Sequence, residues 1–274
     1  MLSHRLSIED IADKLKGQRV LMRVDFNVPF KDGVVKDDTK IISTIPTINY
    51  AFSKGAKAII LMSHLGRPNG KTDLKSSLQP VATKLSELLS KEVTFLKDCV
   101  GDETIQYCQN LKEGEIVLLE NLRFHIEEEV KITEDDGEKK QAKEDNVKLF
   151  REDLTKLGDL FINDAFGTAH RPHSSMIGID LAIRASGLLM KKEIEYFSKA
   201  LEFPVKPFLV IMGGAKVKDK IQLIMNMLDK VTDMIIAGGL SYTFLNHING
   251  MKIGKSLFDK EGNKIIDSIM NKVI

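Results

Sequence analysis

The chain has 274 residues, and with typical domains of roughly 100 to 200 residues this length predicts one large domain or two smaller ones. Lys and Arg number 40 against 39 Asp and Glu, and a net charge of +1 gives no reason to expect nucleic acid or an anionic membrane as a partner. The longest apolar runs, Ala58 to Met62 and Phe208 to Met212, fall far below the ~20 residues that span a bilayer, so a soluble chain is expected.

In chain order, the N-terminal MLSHRLSIED carries Glu9 and Asp10 and no apolar h-region, so it reads as neither a signal nor a transit peptide. The first apolar run, from Val20, enters the turn Arg23-Val24-Asp25-Phe26-Asn27. Asp25 and Asn27 are two apart and share a side in extended chain, offering an acceptor and an amide for hydroxyl groups; an Asx turn closing a strand is the other reading. Ile41, Ile45, Ile48 and Phe52 mark a helix over about 40 to 54. A second run, from Ile59, ends in Ser63-His64-Leu65-Gly66-Arg67-Pro68. There Gly66 permits close backbone approach, and a guanidinium fork matches carboxylate or phosphate.

Leu78, Val81, Leu85, Leu88 and Leu89 predict a second helix. Cys99 and Cys108 show no metal or CxxC spacing, which argues for reduced thiols in a cytoplasmic protein. A third run, from Ile116, leads to Glu120-Asn121-Leu122-Arg123, with Arg123 either at a sheet edge or in a salt bridge to Glu120 or Glu127. Glu127 to Asp145 is too polar to contribute to a core and reads as a solvated excursion. Leu149, Leu154 and Leu157 predict a helix that delivers Leu160-Phe161-Ile162, a short apolar strand. The turn after it, Asn163 to Arg171, combines small residues with the basic pair His170 and Arg171.

Strand-like runs alternating with helical segments predict an α/β fold with a parallel sheet. All four turns then open on one edge, where such sheets bind ligands. That edge would collect His64, Arg67, Arg123, His170 and Arg171 around a small, strongly anionic molecule.

Leu189, Ile194, Phe197 and Leu201 form a helical stripe that ends before Pro204 and Pro207. A second α/β series follows, with strands at Phe208 to Met212 and Met234 to Ala237, a helix from about Lys218 to Val231, and two further helical segments. Two strands make a poor independent sheet, so this second domain reads as incomplete. Gly213-Gly214-Ala215-Lys216-Val217-Lys218-Asp219-Lys220 follows a strand and opens a helix, either as a phosphate site or as a helix start with surface lysines. It lacks the Walker A spacing. Gly238-Gly239 is a second close-approach turn.

RVDFNVP at Arg23 to Pro29, SHLGRP at Ser63 to Pro68, ENLRFH at Glu120 to His125, NDAFGTAHR at Asn163 to Arg171 and GGAKVKDK at Gly213 to Lys220 resemble the successive signatures of phosphoglycerate kinases, in that family's order. The EEE-containing segment resembles the eukaryotic type. The resemblance implies a Rossmann-like parallel-sheet domain over 1–186 for the phosphoglycerate, a hinge helix over 187–203, and an incomplete α/β nucleotide-binding domain over 204–274. It implies reversible phosphoryl transfer between 1,3-bisphosphoglycerate and ADP, giving 3-phosphoglycerate and ATP in glycolysis, with Mg²⁺, in a cytoplasmic monomer.

By this resemblance Asp25 and Asn27 hold the glycerate end with Val24 and Phe26 backbone contacts, and His64, Arg67, Arg123, His170 and Arg171 hold the phosphate that stays. Ser63, Gly66 and Leu122 line the pocket. Gly214, Ala215, Lys216 and Lys220 lie along the nucleotide phosphates, Gly238 lies under the base or ribose, and Lys216 follows the transferring group. The family's catalytic arginine aligns with Lys40, which keeps the charge without the planar fork. Family members continue past this length through the rest of the nucleotide domain, including the aspartate for Mg²⁺-nucleotide. Two readings therefore stand: a truncated phosphoglycerate kinase, or an inert module that binds 3-phosphoglycerate. Nucleic-acid binding is disfavoured by the charge balance and the lack of aromatic stacking motifs.

Overall fold

The apolar runs become strands because a parallel sheet covered on both faces needs short segments that are apolar throughout. The computed structural model describes residues 5–31, 33–134 and 136–273; Met1 to His4, Asp32, Asp135 and Ile274 lie outside the described residues. Its principal sheet is formed by β1 (Arg19–Val24), β2 (Ala58–Met62), β3 (Thr94–Phe95), β4 (Ile116–Leu118), β5 (Leu160–Asp164) and β6 (Arg184–Ser186). The spatial order is β6-β5-β1-β2-β4-β3, with every pairing parallel. The four strands read from the sequence are thus neighbours, and Arg23↔Met62 and Val24↔Asp164 align their C-terminal ends. The polar turns that follow emerge on one edge.

Alternate strand residues serve opposite faces. Val20, Met22, Ile59, Leu61 and Ile162 pack with helices α1 (Thr39–Ser53) and α2 (Gln79–Leu89) through Ile41, Ile48, Val81 and Leu85. Leu21, Ile60, Val117 and Phe161 pack on the other face with α3 (Asp102–Gln109) and α4 (Glu144–Lys156) through Ile105, Phe150 and Leu154. The short strands β3 and β6 and helix α3 escaped the sequence reading. On α4 the inward face is Val147, Phe150 and Leu154, while Leu149 is 56% exposed. The expected leucine register is corrected there, because Phe150 is the residue at helical spacing from both Val147 and Leu154.

Glu127 to Asp145 is also corrected. The helical turn Ile126–Glu129 and a hairpin of Lys131–Thr133 with Lys139–Gln141 bury Glu128, Ile132 and Ala142. The segment packs back on the domain, and Glu128 carries its charge inside.

Helix α5 (Leu188–Leu201) begins on the first unit. Asp164 Oδ1 accepts from the Met190 N–H at 2.9 Å, and Asp164 Oδ2 accepts from the Thr47 hydroxyl at 2.6 Å. Thr47 Oγ1 in turn accepts from the Leu188 N–H at 3.0 Å. One buried carboxylate therefore joins the end of β5, helix α1 and the first turn of α5. Two compact units divide inside α5, after Ile194.

Within the second unit, Leu209–Gly213 and Asp233–Ala237 pair in parallel. Met212, Val217, Ile224, Leu240, Phe244, Ile266 and Ile269 make its core. Leu209, Ile211 and Ile235 remain exposed, Ile211 at 67%. The helix expected over Lys218 to Val231 is a 3-10 turn at Lys218–Lys220 followed by Ile221–Leu228.

Gly158, just before β5, is required by close approach: a Cβ there would lie 2.8 Å from Leu21 Cβ and 3.0 Å from the Leu21 nitrogen. Gly158→Ala is expected to destabilise the chain by about 1 to 3 kcal/mol through overpacking. Urea unfolding checks this, and a midpoint equal to that of the parent would contradict it.

Candidate anion-binding site

At the end of β1 the Asx turn forms: the Asn27 N–H donates to Asp25 Oδ1 at 3.0 Å. The second Asp25 oxygen accepts from Lys40 Nζ at 2.8 Å, which draws the start of α1 to the turn. Asn27 Oδ1 accepts from the Gly66 N–H at 3.0 Å and ties the first turn to the second. A Cβ on Gly167 would lie 3.4 Å from Asp25 Oδ2, so the β5 turn also approaches Asp25 closely. Three of the four turns thus meet around Asp25 and Asn27.

Beneath them lies a residue that was not singled out from the sequence. Arg23, inside β1, is fully buried; its Nε donates to Ser175 Oγ at 3.0 Å, Nη1 donates to the Val24 carbonyl, and Nη2 lies 3.1 Å from His64 Nδ1. Ser175 donates through its hydroxyl to Glu128 Oε1 at 2.6 Å and through its N–H to Glu128 Oε2 at 2.9 Å. Glu128 is the buried counter-charge. Burial raises its pKa, opposed by Arg23 and by both Ser175 donors. A cation within the otherwise apolar run VLMRV was the available signal, since a buried Arg needs a partner.

Asn121 organises the third turn. Its Oδ1 accepts from the N–H groups of Leu65 and Arg123 at 3.2 and 3.1 Å, and its Nδ2 donates to the Leu65 and Ser76 carbonyls at 2.7 and 2.8 Å. Arg123 Nη1 donates to the Gly66 carbonyl at 2.8 Å, and Nη2 lies 3.3 Å from Glu129. The acidic partner is thus Glu129, because Glu120 already accepts from Ser77 Oγ and from the N–H groups of Leu78 and Asn121. Among the expected lining residues, Ser63 and Leu122 are fully buried. Ser63 Oγ accepts from the Phe26 N–H at 2.9 Å, and Leu122 packs in the apolar core. Val24 and Phe26 also have buried side chains.

The charges at this edge repel one another. Burial depresses the His64 pKa, and Arg23, Arg123, His173 and Lys40 depress it further, so the ring is neutral at physiological pH. Burial lowers His173 to about 4, helped by Arg123, Arg23, Arg171 and His170. Burial also lowers Arg123, with Arg171 and Arg67 adding to the effect and Glu129 and Glu128 opposing it. Arg67 and His170 are exposed, and Arg171 is half-buried. The structure therefore brings Asp25, Asn27, Lys40, His64, Gly66, Arg67, Arg123, His170 and Arg171 to one edge and adds Arg23 and His173. An anion placed there relieves repulsion that the fold has already built in.

In the second unit, Gly238 has φ +63°, and a Cβ on Gly239 would lie 2.9 Å from the Gly214 carbonyl oxygen. The Leu240 N–H donates to that oxygen at 2.8 Å. Lys220 Cε would lie 3.7 Å from a Cβ on Gly214, so Lys220 flanks the turn. Asp259 accepts from the N–H groups of Lys218 and Gly262 at 2.8 and 3.0 Å. Burial pushes the Asp259 pKa up, but these donors and nearby Lys216 hold it below its ordinary value. Gly214, Ala215, Lys216, Lys220 and Gly238 thus share the C-terminal end of two parallel strands.

A sequence model of the phosphoglycerate kinase family matches residues 8–274. The chain is 56% identical to phosphoglycerate kinase 1 of Rhizopus niveus over 273 residues, covering 99% of this chain and 64% of that protein. It is 57% identical to phosphoglycerate kinase 2 of Homo sapiens over 272 residues, covering 99% and 65%. The structure of phosphoglycerate kinase from Coxiella burnetii matches with a TM-score of 0.80 at 34% identity, over 98% of this chain and 63% of that one. The chain spans about 64% of the length of such curated relatives. With the family's match running from residue 8 through both units, the chain belongs to the phosphoglycerate kinase family.

Proposed function

We propose that the basic edge of the first unit binds 3-phosphoglycerate, or the same part of 1,3-bisphosphoglycerate, and that the Gly214 to Lys220 turn binds ADP or ATP phosphates. The whole protein then moves a phosphoryl group from the acyl phosphate to the terminal phosphate oxygen of ADP, and a carboxylate leaves. This is the glycolytic reaction that yields ATP. The observation that carries the reading is the gathering of Arg23, Lys40, Arg67, Arg123 and Arg171 at one sheet edge, where burial first and these cations second lower His64, His173 and Arg123. A phosphate with a carboxylate or acyl phosphate supplies the charge that this cluster lacks.

The division of labour follows from chemistry. Direct transfer between two anions needs in-line positioning and positive charge more than covalent participation. His64, Arg67, Arg123, His170 and Arg171 hold the phosphate that stays, while Asp25 and Asn27 orient the glycerate hydroxyl. Gly214 and Ala215 offer the nucleotide phosphates close backbone approach, with Lys216 beside the moving group, Lys220 along the phosphates and Gly238 under the base or ribose. Lys40 supplies charge at the reacting end. Its Nζ already donates to Asp25 and offers a second partner only a point charge, whereas a planar fork offers two parallel donors.

Mg²⁺ is expected to enter with the nucleotide. Among the described residues of the second unit there is no cluster of three His, Cys, Asp or Glu ligands, and Asp259 is taken by backbone donors. These residues fit phosphates and do not cage a metal, so no step here is assigned to one. The protein is proposed to act in the cytoplasm as a monomer, and among the described residues no helix is long and apolar enough to cross a membrane. Because the chain spans about 64% of its relatives' length, a second reading is a module that binds 3-phosphoglycerate without turnover. A coupled assay of this chain with ATP, Mg²⁺ and 3-phosphoglycerate separates the two, since turnover above background excludes the inert module.

Arg67→Ala is expected to weaken 3-phosphoglycerate binding by roughly 10- to 100-fold, the loss of one charge-assisted contact. Calorimetric titration checks it, and unchanged affinity would remove Arg67 from the pocket. In a full-length enzyme carrying this first unit, Lys40→Arg is expected to raise kcat about tenfold, as one better-directed contact to the transferring group. An unchanged or lower kcat would show that Lys40 does not occupy the catalytic place.

A further inference from the structure

Two short helices beneath the basic edge are joined by side-chain hydrogen bonds. Ser174 Oγ donates to the Glu127 carbonyl at 2.6 Å and accepts from Arg151 Nε at 3.1 Å, which fixes Ser174–Ile177 against Ile126–Glu129. The next residue, Ser175, offers both of its donors to Glu128. Glu128 and Ser175 are fully buried and conserve a single direction of hydrogen bonding. Arg can only donate, so Ser175 Oγ accepts from Arg23 Nε and spends its own proton on Glu128 Oε1.

The same constraint reaches His64. Arg23 Nη2 lies 3.1 Å from His64 Nδ1, and a guanidinium cannot accept, so Nδ1 must be the unprotonated nitrogen of a neutral ring. His64 is thereby left with its proton on Nε2. The ordered chain runs from Glu128 through Ser175 and Arg23 to His64, across four segments that are distant in sequence.

We propose that Glu128 and Ser175 are positioning residues of the anion pocket, which hold Arg23 so that it fixes His64 as the Nε2–H tautomer. His64 then serves the bound phosphate as a neutral, directed donor, while the exposed Arg67 and half-buried Arg171 supply the charge. His173 sits beside the chain, its Nδ1 3.8 Å from Glu128 Oε1 and its Nε2 3.8 Å from Glu129 Oε1, too far for hydrogen bonds. It fills the space between the carboxylates without breaking the sequence of donors and acceptors.

The role in phosphate binding rests on the proposed function, whereas the tautomer does not, and the experiment separates them. Long-range proton–nitrogen NMR of the unliganded chain, labelled at histidine nitrogens, is expected to show His64 with Nε2 protonated and Nδ1 free. Glu128→Gln removes the charge at nearly constant shape and is expected to give a mixture of the two tautomers. Ser175→Ala removes the linking hydroxyl, keeps the carboxylate and is expected to do the same; it carries the test if Glu128→Gln does not fold. Ser175→Thr restores a hydroxyl and is expected to restore the single tautomer. In calorimetric titrations with 3-phosphoglycerate, Ser175→Ala is expected to bind about tenfold more weakly than the parent, the loss of one directed hydrogen bond. A His64 signal that remains wholly Nε2–H in Ser175→Ala would overturn the inference, whatever the affinity for 3-phosphoglycerate. Failure of the parent chain to bind 3-phosphoglycerate would instead overturn the function assigned to the edge.

Discussion

The buried Arg23–Ser175–Glu128 connection is the interaction on which the pocket depends. Taking a guanidinium out of water costs several kcal/mol, and so does burying a carboxylate, so each is tolerable here only because the other is present. Ser175 makes the pairing directional, because its hydroxyl accepts from one side and donates to the other. The result is an Arg23 guanidinium fixed under a sheet edge at which three further turns already place Arg67, Arg123 and Arg171. A surface cluster of lysines could supply the same charge, but it would not hold His64 in one protonation state.

The parallel sheet makes this concentration possible. Strands β5, β1, β2 and β4 are adjacent and run in one direction, so four separate stretches of chain end side by side. Asn27, Asn121 and Asp25 then fasten the turns to each other through backbone N–H groups and the Lys40 ammonium. Asp164 fastens the same edge to helices α1 and α5. His170 and Arg171, proposed to hold the anion, and Asp164, which holds helix α5, are thus separated by only a few residues at the end of one strand.

Much of this was legible in the sequence because it depends on local pattern. Short apolar runs, helical spacing between them and basic residues just after each run were enough to predict the sheet and the edge on which Arg67, Arg123 and Arg171 meet. Glu128 was not legible, since three consecutive glutamates look like solvated chain, and only the packing of Ser174–Ile177 on Ile126–Glu129 makes one of them internal. Arg123 likewise chose Glu129 over nearer candidates because Glu120 was engaged by Ser77 and Leu78. On α4, leucine identity suggested an inward face that Phe150 takes instead. The second unit read correctly as two parallel strands with a glycine turn, and the comparisons place both units in one enzyme family.

The central claim is that the first unit carries a complete, pre-formed site for a phosphorylated glycerate. Its most direct test is a backbone-amide NMR titration of this chain with 3-phosphoglycerate. The account predicts saturable shifts confined to residues 23–27, 63–67, 121–123 and 166–175, with the amides of residues 209–273 unmoved. Shifts centred on Gly214 to Lys220, or no saturable shifts at the sheet edge, would contradict it.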